Sequence, residues 1–280
     1  MEPSKPSNTK ALLWFFGLAF GFSWFFWLFA VLSSVGVFST PLPTMVWVVA
    51  GAHGPLFAAV LLTYKSGGWV AVKQLIRSGL NLRMKTGWWL AILLTPVVLT
   101  GVAVWLNIAL NGYQTGKTLL AQPLLILPTF VLMFFLGGSF QEEFGWRGYA
   151  LPRLLESWKP LTASVLLGGI WGLWHLPLFH VAGTSQVFMP FGVFVLLAIL
   201  MSIFFTYFYL RTGKNLFSAL LFHASVNTSL SLFPPVEQKT GGNYMALVYL
   251  VLFYLSLVIV IILLDRTFSG IRKAQDKTAP

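Results

Sequence analysis

Cysteine does not occur anywhere in the 280 residues. Its absence excludes a disulfide framework, a thiolate metal site and a cysteine nucleophile. Charge is almost as scarce. Asp, Glu, Lys and Arg make up 9% of the chain, where a soluble globular protein carries about 25%. No charged side chain falls within 11–64, 86–116, 118–141, 160–210, 215–236 or 240–264. About 20 consecutive apolar residues cross a bilayer, and these gaps are too long and too many for core helices of a soluble domain. With 57% hydrophobic residues and a mean hydropathy of +0.80, the sequence is that of a polytopic membrane protein.

The charge that is present has one dominant sign, a net +11. Nucleic acid is not the expected partner: the basic residues flank apolar runs, and no RNP-like or helix-turn-helix pattern accompanies them. The bilayer is. The opening MEPSKPSNTK followed by ALLWFFGLAFGFSWFFWLFAV is too long in its apolar part for a signal peptide and lacks a small-x-small cleavage site. It reads as a retained first span.

Runs bounded by charge, Pro or Gly predict an all-α bundle of about eight transmembrane helices, near 11–35, 43–64, 87–110, 122–150, 160–179, 189–210, 214–232 and 243–264. One integral membrane domain over 1–280 is expected, with disordered tails at 1–10 and 267–280. Lys and Arg set the orientation. With both termini in the cytoplasm, 16 of the 18 basic residues face inward, and only Lys117 and Lys239 face out. Segment 65–87 interleaves Val70, Val72, Leu75, Ile76 and Leu80 with Lys73, Arg77 and Arg83. It fits either an amphipathic helix on an anionic leaflet or a basic, topology-setting loop.

Of only seven acidic residues, two are adjacent, in SFQEEFGWRGYALP at 139–152. A charge at bilayer depth costs about 2.5–3.5 kcal/mol on insertion scales and marks function when it persists. On a helix Glu143 and Arg147 share a face and pair. Glu142 lies about 100° away and is left for another task. His223 and Asn227, in LFHASVNTS, are also four apart. If the fourth helix continues to about Ala150, Glu142 lies in the same layer as His175 and His223, so that a polar cavity forms inside the membrane. The plainer alternatives are interfacial charges for the glutamates and interhelical hydrogen bonding for His223 and Asn227. His53, beside Gly and Pro, reads as a kink residue, and His180 as an interfacial one.

At these residues the chain resembles the CPBP family of intramembrane proteases, which includes type II CAAX prenyl endopeptidases and bacteriocin-processing or immunity relatives. The family's EExxxR is matched by Glu142-Glu143-Phe-Gly-Trp-Arg147. Its FxxxH is matched by Trp171-Gly-Leu-Trp-His175, with Trp in place of Phe, and its HxxxN by His223-Ala-Ser-Val-Asn227. The resemblance implies peptide-bond hydrolysis in the membrane without a serine, a cysteine or an obligatory metal. By position Glu142 would be the general base, and His175 would hold the water. His223 and Asn227 would stabilise the oxyanion, with Glu143, Arg147 and Trp171 in support. A carboxylate withdrawn from water is a stronger base, and amide and imidazole donors in a water-poor site serve an oxyanion well.

Other readings stay open. Glu142, His175 and His223 form a His₂Glu set, which zinc would use in a metalloprotease. A non-catalytic membrane scaffold or regulator would keep the fold. A transporter would need two symmetric halves with broken helices, which the sequence does not display. The expected substrate is a membrane-associated peptide or protein, a prenylated CaaX protein being one candidate. A bacterial plasma membrane is the expected location.

Overall fold

The computed structural model describes residues 8–39, 41–114, 118–236 and 243–270. Among these residues all regular structure is helical. The membrane-length segments are α1 (Asn8–Ser34), the joined pair α2 (Thr44–Ala52) and α3 (Gly54–Ser78), and α4 (Thr86–Asn111). They continue with α5 (Ile126–Phe135), α6 (Ser139–Gly145) and α7 (Leu151–Ser157) within one span, then α8 (Pro160–Trp174) and α9 (Phe191–Arg211). The shorter α10 (Leu216–Leu232), α11 (Met245–Leu264) and a final turn, α12 (Arg266–Ser269), complete the order. Among the described residues seven segments are long and apolar enough to cross a bilayer, and α10 is a shorter apolar helix beside them. The expected bundle of about eight helices is therefore present. Of the expected tails, Asn8–Lys10 is already helical and Thr267–Ser269 lies in α12; residues 1–7 and 271–280 lie outside the described residues.

Lipid is as apolar as leucine, so membrane helices associate by close packing and interhelical hydrogen bonds rather than by hydrophobic burial. The α8–α9 pair shows how. Gly168 and Gly172, one turn apart on α8, bring that helix against the backbone of α9 at Ile199 and Val195. Leucine at either position would drive the helices apart and carry Trp171 and His175 away from the centre. Helix α10 has the opposite character. It packs against α4, α5, α6 and α9, and nearly every side chain on it is buried. That enclosure accommodates Ser218, His223, Ser225, Thr228 and Ser229 in a membrane-depth helix, since each polar group must find a partner within the protein. Ser225 donates to the Leu93 carbonyl at 2.7 Å, and Thr100 meets Ser229 at 3.2 Å.

Two expected elements differ. The basic segment 65–87 is part helix: α3 kinks at Gly67 and Gly68, where Gly68 has φ 61°, and then runs on to Ser78. Of its predicted apolar face Val72 is buried, Leu75 and Ile76 are half-buried, and Val70 and Leu80 are exposed beside Lys73 and Arg77. The second difference is the fourth span. It is not one helix over 122–150 but is broken at Gly137–Gly138, passes through a wider π-type turn at Trp146–Ala150, and continues to Ser157. Pro152, expected beyond the helix end, sits in the first turn of α7, where proline has no hydrogen bond to lose.

Candidate active site

Irregular backbone at bilayer depth survives only where protein buries it or it lines a cavity, and the Gly137–Gly138 break meets both conditions. Gly138 has φ 110°, a region open to glycine. The freed backbone groups are satisfied by side chains. The Gly138 N–H donates to Gln141 Oε1 at 3.0 Å, Asn227 Nδ2 donates to the Gly137 carbonyl at 2.5 Å, and Ser139 Oγ donates to the Met133 carbonyl at 3.2 Å. The break thus ties the start of the EExxxR helix to α10 through Asn227.

The paired glutamates separate as their helical spacing predicts. Glu143 Oε1 accepts from Arg147 Nη1 at 2.9 Å, and both side chains are fully buried, at 0% exposure. The same oxygen accepts from His223 Nδ1 at 2.8 Å. The Arg147 guanidinium lies 3.8 Å from the centre of the Phe205 ring and 5.0 Å from that of Trp171. Aromatic faces therefore cover the donors that find no oxygen, Nε and Nη2. Glu142 turns away from this group. Its Oε2 accepts from Trp171 Nε1 at 2.6 Å. A phenylalanine, the residue of the resembled motif, has no such donor, so the Trp171 departure adds a direct hold on the motif carboxylate as well as an aromatic wall.

The two histidines are each fixed at Nδ1. His223 donates to Glu143, and His175 donates to the Trp171 carbonyl one turn back at 2.8 Å. Both rings rest edge-on against Trp171, with centroids at 5.8 Å and 5.4 Å. This leaves Nε2 of each ring for other partners. The space under Gly138 shows where those of His223 and Glu142 converge: a methyl group on Gly138 would stand 2.6 Å from Glu142 Oε1 and 3.1 Å from His223 Nε2. Only glycine leaves both groups in place at this point.

These groups face a cavity of about 960 Å³. Glu142, Trp171, His175, His223 and Asn227 all line it, while Glu143 and Arg147 sit behind its wall. The structure thus gathers every residue singled out by the three motifs. It leaves out His53, which bonds the Val49 carbonyl at the α2–α3 joint, and the exposed His180. The sequence reading missed three contributors. Gly137–Gly138 carried a breaker signal in its Gly-Gly dipeptide. Gln141 and Phe205 carried none, since one neutral amide or one phenylalanine in an aromatic-rich run is unremarkable. Among the described residues no three His, Cys, Asp or Glu side chains are grouped as a metal-holding set.

A polytopic helical bundle closed around a buried carboxylate, two imidazoles and an amide defines an integral membrane protein with an intramembrane polar site. Residues 122–229, which contain all three motifs, match the model of the family described as type II CAAX prenyl endopeptidase, Rce1-like. The chain is also 32% identical over 133 residues to the CAAX prenyl protease 2 of Methanococcus maripaludis. That alignment covers 44% of this chain and 49% of the relative, so the chain spans about half the length of the curated relative it matches. The likeness to the type II CAAX prenyl endopeptidases, first drawn from the motifs, is borne out.

Proposed function

We propose that the protein is an intramembrane endopeptidase that hydrolyses a peptide bond of a membrane-associated polypeptide with a glutamate-activated water. The observation that carries this reading is the convergence of Glu142 Oε1 and His223 Nε2 beside Gly138 on the wall of the cavity that His175 and Asn227 also line. A water there is within reach of a base and of an imidazole oriented by a carboxylate.

Glu142 Oε1 takes a proton from the water as its oxygen bonds to the scissile carbonyl carbon. His175 Nε2, a lone-pair acceptor while Nδ1–H is committed to the Trp171 carbonyl, helps to hold that water. The tetrahedral oxyanion is met by the Asn227 amide and by His223 as an imidazolium, which donates from Nε2 while Nδ1–H stays on Glu143. The carbon–nitrogen bond then breaks, and Glu142 returns its proton to the departing amine. Glu143 fixes the His223 ring, and Arg147 fixes Glu143. No metal enters this scheme. The substrate is a polypeptide held at the membrane, and a prenylated C-terminus is one candidate.

The test is cleavage of quenched peptides, apolar and prenylated, by the purified full chain beside Glu142→Gln, each with and without a chelator. Loss of a positioned base costs about 10²–10⁴-fold in rate, so the variant should lose at least that much while the chelator changes nothing. Activity lost to the chelator and restored by zinc would replace this scheme with a metalloprotease one. Undiminished activity in Glu142→Gln would sink both.

A further inference from the structure

The bundle has two ends, and hydrogen bonds between loops identify them. At one end Asn8 bonds Glu156, Lys159 donates to the Gly270 carbonyl at 2.9 Å, Arg211 pairs with Asp265, and Asn215 donates to the Asn81 carbonyl at 2.9 Å. The start of α1, the α7–α8 turn, the α9–α10 turn, the loop after α3 and α12 therefore meet on one face. At the other end the Ala182 N–H donates to Ser34 at 3.0 Å, and Tyr113 donates to the Pro234 carbonyl at 3.1 Å. Asn107 donates to Asn243 there at 3.0 Å.

Charge divides between these ends unequally. The first end holds the exposed Lys65, Lys73, Arg77, Arg83, Lys85, Lys159, Arg211, Lys214 and Arg266. Of the 18 basic residues only Lys117 and Lys239 belong by sequence to loops of the second end, and both lie outside the described residues. Short loops rich in Lys and Arg stay in the cytoplasm, so the first end is the cytoplasmic one.

The cavity opens at the second. Its rim is made by Gln114, Ser185, Gln186 and Pro234, and no loop of the basic end lines it. Counting along α10 at 1.5 Å per residue, His223 lies roughly 10 Å from the basic end and 14 Å from the other. The shorter route is blocked. Gly79 packs so closely on Phe144 and Leu220 that a methyl group there would fall 2.7 Å and 3.2 Å from them, and Phe144, Trp146 and Leu220 are buried. The rim carries neutral amides and hydroxyls, and the walls carry Met45, Val48, Met189, Leu197, Leu247 and Leu250.

We propose that the site is entered from the extracytoplasmic face, and that what enters is an apolar polypeptide segment presented from the outer leaflet. This deepens the endopeptidase reading and rests on it for the substrate's being a polypeptide.

The cysteine-free sequence makes the test clean. Single variants Ser185→Cys and Gln114→Cys at the rim, and Ser78→Cys at the basic end, are made in the full chain and expressed in a bacterial host. A membrane-impermeant maleimide should label both rim cysteines in intact spheroplasts and Ser78→Cys only after permeabilisation. The reverse pattern, or equal labelling of all three before permeabilisation, would overturn the proposal. Labelling does not depend on activity, so its outcome stands whether or not the protease reading does. As a second readout, an apolar quenched peptide added outside right-side-out vesicles should be cut, and the same peptide outside inverted vesicles should be spared until detergent is added. Cleavage confined to inverted vesicles would refute access from the outer face, whereas no cleavage in any format would count against the protease alone.

Discussion

Gly138→Ala separates a geometric requirement of the backbone from a chemical requirement of the site. Alanine at φ 110° strains the backbone by about 1–3 kcal/mol. Its methyl group also enters the space between Glu142 Oε1 and His223 Nε2, where the 2.6 Å approach to the carboxylate is well short of an ordinary 3.4 Å contact. The carboxylate must retreat by most of an ångström. A misplacement of about 1 Å at a reacting group costs about 10²-fold, so cleavage should fall by at least that factor. The control is Gly213→Ala, which has the same kind of positive φ, 78°, but nothing within 4 Å of the new methyl group. Both variants should lower the apparent Tm in detergent, and only Gly138→Ala should abolish cleavage of the quenched peptide. If it cleaves as fast as Gly213→Ala, the space under Gly138 is not where the reaction takes place.

The buried ion pair gives a stability prediction. Arg147→Met leaves the buried Glu143 carboxylate with the His223 N–H but without its cation, and should cost about 3–5 kcal/mol, while Glu143→Gln combined with Arg147→Met should recover most of the loss. Thermal unfolding of the single and double variants in detergent measures the coupling, and simple additivity would contradict it. Trp171→Phe keeps the aromatic wall but removes the donor to Glu142. A hydrogen bond to a charged group is worth about 1.5–3 kcal/mol, so kcat should fall at least tenfold with little change in Tm. An unchanged kcat would show that the indole N–H does not position the carboxylate.

The spans were legible because charge is so rare that its positions alone outline them. The cluster was legible because four-residue spacing puts Glu143 with Arg147 and His223 with Asn227 on a face, and that relation survives whatever the helix does further along. The break and the wide turn in the fourth span were not read, although Gly-Gly stood in plain view. A glycine pair in an apolar run is equally compatible with close packing, as Gly168 and Gly172 show on α8. What decides between the two is the supply of side chains that can satisfy freed backbone groups, and Asn227 lies 90 residues away from the carbonyl it caps. The link from Trp171 to Glu142 was hidden for the same reason: an indole N–H finds its acceptor only after α8 has docked.

The shared carboxylate of Glu143 also carries a schedule. Arg147 follows it by four residues, but His223 follows by 80. At about 5–20 residues per second, a ribosome makes the cation within a second and the histidine about 4–16 s later. The fourth span therefore enters the bilayer with Glu143 already paired with its own arginine. The imidazole that completes the cluster arrives only when α10 threads into a bundle already waiting for it. A site assembled in that order stays incomplete while most of the apolar chain is still emerging, and it is whole only when its last-placed polar helix closes it.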